Sequence, residues 1–156
     1  MKKLFCAALC AAMLFTLAGC SEGSGKTPTA QAVLDGIFEQ IGQDNLPALT
    51  VADDELLKNF YGIDSADLDS YALQMAAMNV HADEFFVAKV KEGKMDAVKE
   101  GIEKRKADLD ATWKQYLPAV YETVQNSKTV ENGDYILFAV SENATTAEKA
   151  FNDATK

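Results

Sequence analysis

The residues that most restrict what this chain can fold into are the first twenty. Met1-Lys2-Lys3 is followed by an apolar run from Leu4 to Ala18 whose only polar side chain is Thr16, and the run closes on Leu17-Ala18-Gly19-Cys20. As a helix that run is roughly 22 Å long at ~1.5 Å per residue, short of the ~30 Å hydrocarbon core of a bilayer. A basic start, a short apolar stretch and small residues before a cleavage point describe a signal peptide rather than a spanning helix. An ordinary secretory signal ends in a small-x-small pattern. Here the small residues run straight into a cysteine, with Ser21 after it. The expectation is cleavage before Cys20 and acylation of its sulfur. At ~0.8 kcal/mol per buried methylene, two or more acyl chains would hold the protein on a bilayer. Residues 1–19 are then a lipoprotein signal peptide and take no part in the fold.

What remains of the 156 residues once those nineteen are gone is a chain of 137, enough for one domain with a real core. Residues 20–27 read as the lipidated cysteine and a Gly/Ser tether, and residues 28–156 as a single domain. Cys6 and Cys10 leave with the signal, so Cys20 alone remains, and neither a disulfide nor a thiolate metal site can form within one chain. Loss of Lys2 and Lys3 takes the formal charge from −9 to −11. A body that acidic does not suit nucleic acid or anionic headgroups. The charge is uneven: Ala30–Glu84 holds eleven acidic residues and one basic residue, Lys58. Gly23-Ser24-Gly25-Lys26-Thr27 looks like a phosphate loop, but Cys20 stands where that loop needs its first glycine, and no strand precedes it.

The elements follow from periodicity and caps. Thr27-Pro28 starts a helix in which Ala30, Val33, Leu34, Ile37, Phe38 and Ile41 form one stripe, ended by Gly42. Leu46-Pro47 is a connector. Asp53-Asp54-Glu55 opens a shorter helix, with acids at the positive end of its dipole, and Gly62 closes it. Tyr71–Asn79 and Asp83–Lys91 are strand candidates joined as an antiparallel hairpin. Lys94–Tyr116 is the longest helix, with Arg105 inside its apolar stripe and a kink or restart at Pro118. Lys128–Glu131 and Tyr135–Ser141 form a second hairpin turning at Asn132-Gly133. Tyr135-Ile136-Leu137-Phe138-Ala139-Val140 is apolar on both faces and belongs in the middle of a sheet. Thr145 and Glu148 make a capping box for a last helix.

Few residues carry chemistry. Asp64, Asp67 and Asp69 invite a calcium loop, but the third, sixth and twelfth places counted from Asp64 are Ala66, Asp69 and Met75, which break the pattern. A capped turn explains the same acids. His81 is the sole histidine, beside Asp83 and Glu84; a polar loop residue explains it better than a metal site, which needs convergent partners. In the mature chain, which would begin at Cys20 and so lose Gly19, no G-x-S-x-G and no H-E-x-x-H occurs, so any enzyme here would rely on carboxylates. We therefore expect no catalytic residues, no metal and no cofactor. Trp113, Tyr116 and Tyr121 are a candidate contact patch, because aromatic side chains dominate binding hot spots. Packing around the Pro118 break explains the same three residues.

In order along the chain, a lipoprotein signal precedes an amphipathic helix and Phe60-Tyr61-Gly62-Ile63-Asp64. Glu84-Phe85-Phe86-Val87 precedes a long helix carrying Arg105 and Trp113-Lys114-Gln115-Tyr116-Leu117-Pro118, then Tyr121-Glu122. Asn132-Gly133-Asp134-Tyr135-Ile136-Leu137 follows. This arrangement resembles the bacterial lipoprotein family called domain of unknown function 4358. The resemblance covers nearly all of the mature chain, and it implies a location and a compact domain but no catalytic residues. The expected fold is α+β: two layers, an antiparallel four-stranded sheet with helices packed mainly on one face. The alternative has Tyr71–Asn79 helical beside three strands. The expected role is a membrane-anchored extracytoplasmic binding or scaffold module of the bacterial envelope. Its partners would be membrane lipid through Cys20 and an envelope protein or small ligand. A carboxylate-based hydrolase and an accessory subunit of a transport or envelope complex are the alternatives.

Overall fold

The Phe85-Phe86-Val87-Ala88 stretch lies on the middle strand of an antiparallel sheet in a computed structural model that describes residues 27–156. The strands are β1 (Leu49–Val51), β2 (Leu68–Ala76), β3 (Glu84–Val90), β4 (Lys128–Asn132) and β5 (Tyr135–Val140), ordered β1-β2-β3-β5-β4. The helices are α1 (Ala30–Ile41), α2 (Asp54–Tyr61), α3 (Met95–Tyr116), α4 (Pro118–Gln125) and α5 (Ala144–Ala154). The chain is α+β, as expected, and Tyr71–Asn79 falls largely in a strand.

Two details of the expected architecture differ. The sheet has five strands rather than four, because Leu49-Thr50-Val51 pairs with Gln74–Ala76. Three residues are too short to show alternation, and this pairing exists only once β2 is in place. The helices also cover both faces rather than mainly one. Side chains alternate across a strand. Phe86, Ala88, Val90, Phe138 and Val140 therefore pack under α2, α3 and α4. Phe85, Val87, Leu137 and Ala139 pack under α1 and α5. A strand pair apolar on both faces needs cover on both, and the five helices divide to give it.

Local signals set the element ends to within a few residues. Thr29, not Thr27, caps α1, its hydroxyl accepting from Ala32 N at 3.2 Å, while the Pro28 carbonyl accepts from the Tyr135 hydroxyl. The six stripe residues from Ala30 to Ile41 are all buried. Asp53 caps α2, accepting from Leu56 N at 3.0 Å, and Asp64 caps the following turn through Ala66 N. Pro118 begins α4 at its first position, so the helix restarts there. Asn132 pairs with Tyr135, which moves the second hairpin's turn to Gly133-Asp134. Gly133 has φ +62°, the sign that tight hairpin turns require at their first position. α5 begins a residue before Thr145, so the expected capping box does not form.

α3 crosses close to the end of α2. A Cβ on Gly101 would stand 2.7 Å from the Tyr61 carbonyl oxygen and 2.7 Å from Ile63 Cγ1. Only a residue without a side chain permits that approach.

Candidate functional site

Cys20, with the signal and most of the tether, lies outside the described residues. The aromatic trio is described, and its members part company. Trp113 is 7% exposed and belongs to the core beneath α3. Its ring centroid is 5.8 Å from that of Tyr116, which is 56% exposed. Tyr121 is half-buried and donates its hydroxyl to Asp110 Oδ1 at 2.7 Å, tying α4 to α3. That bond, and then burial, raises the Tyr121 phenol above its ordinary value. Of the three, only Tyr116 offers most of a ring to a partner.

The most concentrated chemistry is internal. Glu84 opens β3 on the α3 face and is 1% exposed. Arg105 donates Nε to its Oε1 and Oε2 at 3.0 and 3.2 Å and Nη2 to Oε2 at 2.5 Å. The Tyr61 hydroxyl donates to Oε1, and the guanidinium lies 4.5 Å over the Phe60 ring. Two charges in the core are tolerated because each meets the other at bidentate geometry. An arginine in an apolar stripe was the sequence signal for a buried acid, but nothing in the stripe says which acid. Glu84 has its oxygens taken by these donors. Asp83 turns to the end of the sheet instead, so the adjacent acids do not converge.

That end of the sheet carries two adjoining surface depressions. The β2–β3 link, the β5–α5 link, the Asp44–Ala48 connector and α4 surround a depression of about 660 Å³. It adjoins a second of about 560 Å³ between α4 and the start of α5. The two share Ala119, Thr123, Ser141 and Glu142, so together they make one groove. Met78 and Val80, 54% and 45% exposed, stand on the hairpin link at its side. Ser127 Oγ is buried at the far end without a hydrogen-bond partner among the described residues. The sequence held one hint of this surface: Met78 and Val80 are apolar where a hairpin link is usually polar.

Burial raises the Asp83 carboxyl above its ordinary value, while the Ser141 hydroxyl and the nearness of His81 act the other way. His81 is exposed, as a loop residue should be. Ser141 Oγ accepts from Asn143 N at 3.2 Å. Histidine, aspartate and serine thus share one groove, but it is the aspartate that lies beside the serine, which is not the order of a nucleophilic relay. Among the described residues no three His, Cys, Asp or Glu side chains come together to hold a metal ion.

The model of the family described as Domain of unknown function (DUF4358) matches residues 43–141, which span β1 through β5 and both the buried pair and most of the groove. No curated protein and no solved structure matches the chain. The chain belongs to the DUF4358 family.

Proposed function

We propose that this member of the family is a lipid-tethered, extracytoplasmic binding module of the bacterial envelope, and that it works without catalysis. The observation that carries the reading is the N-terminal run itself: Lys2-Lys3, fifteen residues with one polar side chain, then Leu17-Ala18-Gly19-Cys20. In this reading residues 1–19 are removed, Cys20 bears the acyl chains, residues up to 27 are the tether, and residues 28–156 are the working domain. The entry point of the chain supports it. Thr27 Oγ1 accepts from Lys89 Nζ at 2.8 Å, and Pro28 is bound to Tyr135, so the tether joins the sheet where β3 ends and β5 begins. The groove lies at the other end of those strands, free to face a partner.

Expression of the full chain with a C-terminal tag, in a bacterium that acylates lipoproteins, tests this. Labelled palmitate should enter the protein, the protein should partition into the detergent phase, and the mature N-terminus should be Cys20. Cys20→Ser should abolish the label and leave the precursor unprocessed. Unlabelled protein retaining Met1 in the cytosol would overturn the reading.

A further inference from the structure

The groove has a chemical character beyond its shape. Its walls carry Asp44, Asp83, Glu122 and Glu142 against one lysine, Lys128, which is drawn towards Glu148 on α5 at 3.9 Å. None of those four carboxylates is ion-paired among the described residues. Elsewhere acids of both kinds occur: Asp67 meets Lys94 at 2.9 Å, Glu131 meets Lys99 at 3.0 Å and Asp64 meets Lys58 at 3.6 Å, whereas Glu39, Glu92 and Glu100 are unpaired among the described residues. It is the gathering of four unpaired acids around one groove that marks this surface. Beside this acidic wall stand two of the four exposed large hydrophobic side chains among the described residues, Met78 and Val80. Unpaired negative charge next to apolar surface fits a partner that is both cationic and partly apolar.

We propose that the groove docks an extended cationic peptide segment of another envelope protein. Lysine or arginine side chains meet Asp83, Glu142 and Glu122, and alternate aliphatic side chains rest on Met78 and Val80. The two joined depressions, about 560 and 660 Å³, form one concave surface of the kind that takes a short segment of chain. The groove runs out at Ser127 and Lys128, where β4 begins, and among the described residues the outer edge of β4 pairs with no other strand. An extended peptide leaving the groove meets that edge, a surface peptides commonly join. Burial already makes the charge on Asp83 unfavourable, and a cation placed beside it relieves that cost.

The orientation rests on the proposed anchor. The tether enters where β3 ends, and the groove lies where β3 begins, one seven-residue strand away. At ~3.3 Å per residue that is about 23 Å. The groove then faces away from the bilayer, towards other envelope proteins rather than lipid.

The test uses the purified full chain in detergent at physiological salt. The probe is a fluorescein-labelled peptide of alternating lysine and leucine, compared with the same peptide carrying glutamate for lysine and with spermidine. Fluorescence anisotropy should show saturable binding of the lysine peptide alone. Asp83→Asn with Glu142→Gln should weaken it about tenfold, and Met78→Ser severalfold. Glu92→Gln with Glu100→Gln, which removes equal charge from exposed positions past the other end of β3, should change it less than about twofold. If the Asp83 variant fails to fold, Glu142→Gln alone serves, since that side chain is exposed. Equal losses in both charge pairs, binding of the glutamate peptide, spermidine binding as tightly as the peptide, or no saturable binding would each overturn the proposal. Binding is read on purified protein whether or not it is acylated. A failed palmitate label therefore removes the anchor and leaves the groove, and failed peptide binding does the reverse.

Discussion

Arg105 reaches from the middle of α3 to Glu84 at the start of β3 and holds both carboxylate oxygens, with Nη2 to Oε2 at 2.5 Å. The pair joins the long helix to the central strand from inside the core, and Tyr61 brings the end of α2 to the same carboxylate. Removing one partner strands the other charge without water. Glu84→Ala or Arg105→Ala should each cost about 3–5 kcal/mol in urea unfolding. Glu84→Leu with Arg105→Met and Tyr61→Phe removes all three polar groups together and should lose less than either single change. A triple variant weaker than both singles would show that the pair contributes more than mutual neutralisation.

Tyr61 should make stability fall in alkali. Burial first, then the charge of Glu84 and its hydrogen bond, holds this phenol well above its ordinary value of 10.0. The unfolded chain releases the proton near pH 10, and the folded chain keeps it. The contribution is complete below about pH 10 and is lost as pH rises past it. Tyr71, raised to about 12 by burial and its bond to Asp54, acts in the same window. The urea midpoint should be level from neutral pH to about pH 10 and then drop, with a shallower drop in Tyr61→Phe.

Asp83 has the opposite sense from an ordinary ion-paired acid. Its folded carboxyl is raised from 3.8 by burial, so the folded state holds the proton more tightly. That contribution is full below about pH 3.8 and is lost as pH climbs through the raised value. Asp83→Asn should therefore raise the melting temperature at neutral pH, and the gain should fade at about pH 3. The charges facing Asp83 are His81 and Glu142. A gain equal at both pH values would point to packing rather than ionisation.

Two glycines should respond in opposite directions. Gly101→Ala drives a methyl to 2.7 Å from a backbone oxygen and should cost about 1–3 kcal/mol. Gly36 lies inside α1 with nothing within 4 Å of an added Cβ. Gly36→Ala should stabilise by about 0.5–1 kcal/mol, because alanine loses less backbone freedom in a helix. Thermal or urea unfolding of both variants measures the contrast.

Trp113 reports the core. Its tryptophan emission should be blue-shifted and resist iodide quenching in the folded state, and move red on unfolding. Trp113→Ala should cost about 3–5 kcal/mol. Tyr116→Ser, at an exposed ring on the same helix face, should stay within about 0.5 kcal/mol. Emission at the wavelength of free indole in folded protein would contradict the burial.

The apolar stripe of α1, the acids opening α2 and the run of β5 that is apolar on both faces are each properties of one short segment, and each was legible in the residues. So were the α+β class, the restart at Pro118 and a turn at Gly133, one residue from where it was expected. The caps of α1 and α5 were misplaced because Thr27, Thr29 and Thr145 are equally able to cap until neighbouring elements choose among them.

The sequence by itself determined which residues of α1 and β5 are buried, because that depends only on spacing along one segment. Tertiary structure alone decided that helices cover both faces, that Leu49–Val51 joins as an edge strand, that Arg105 finds Glu84, and that four separate segments enclose the groove. The physical reason is that burial is satisfied by any apolar neighbour, so a pattern states the need without naming the partner. Which partner meets it is settled only when strands pair and helices choose a side.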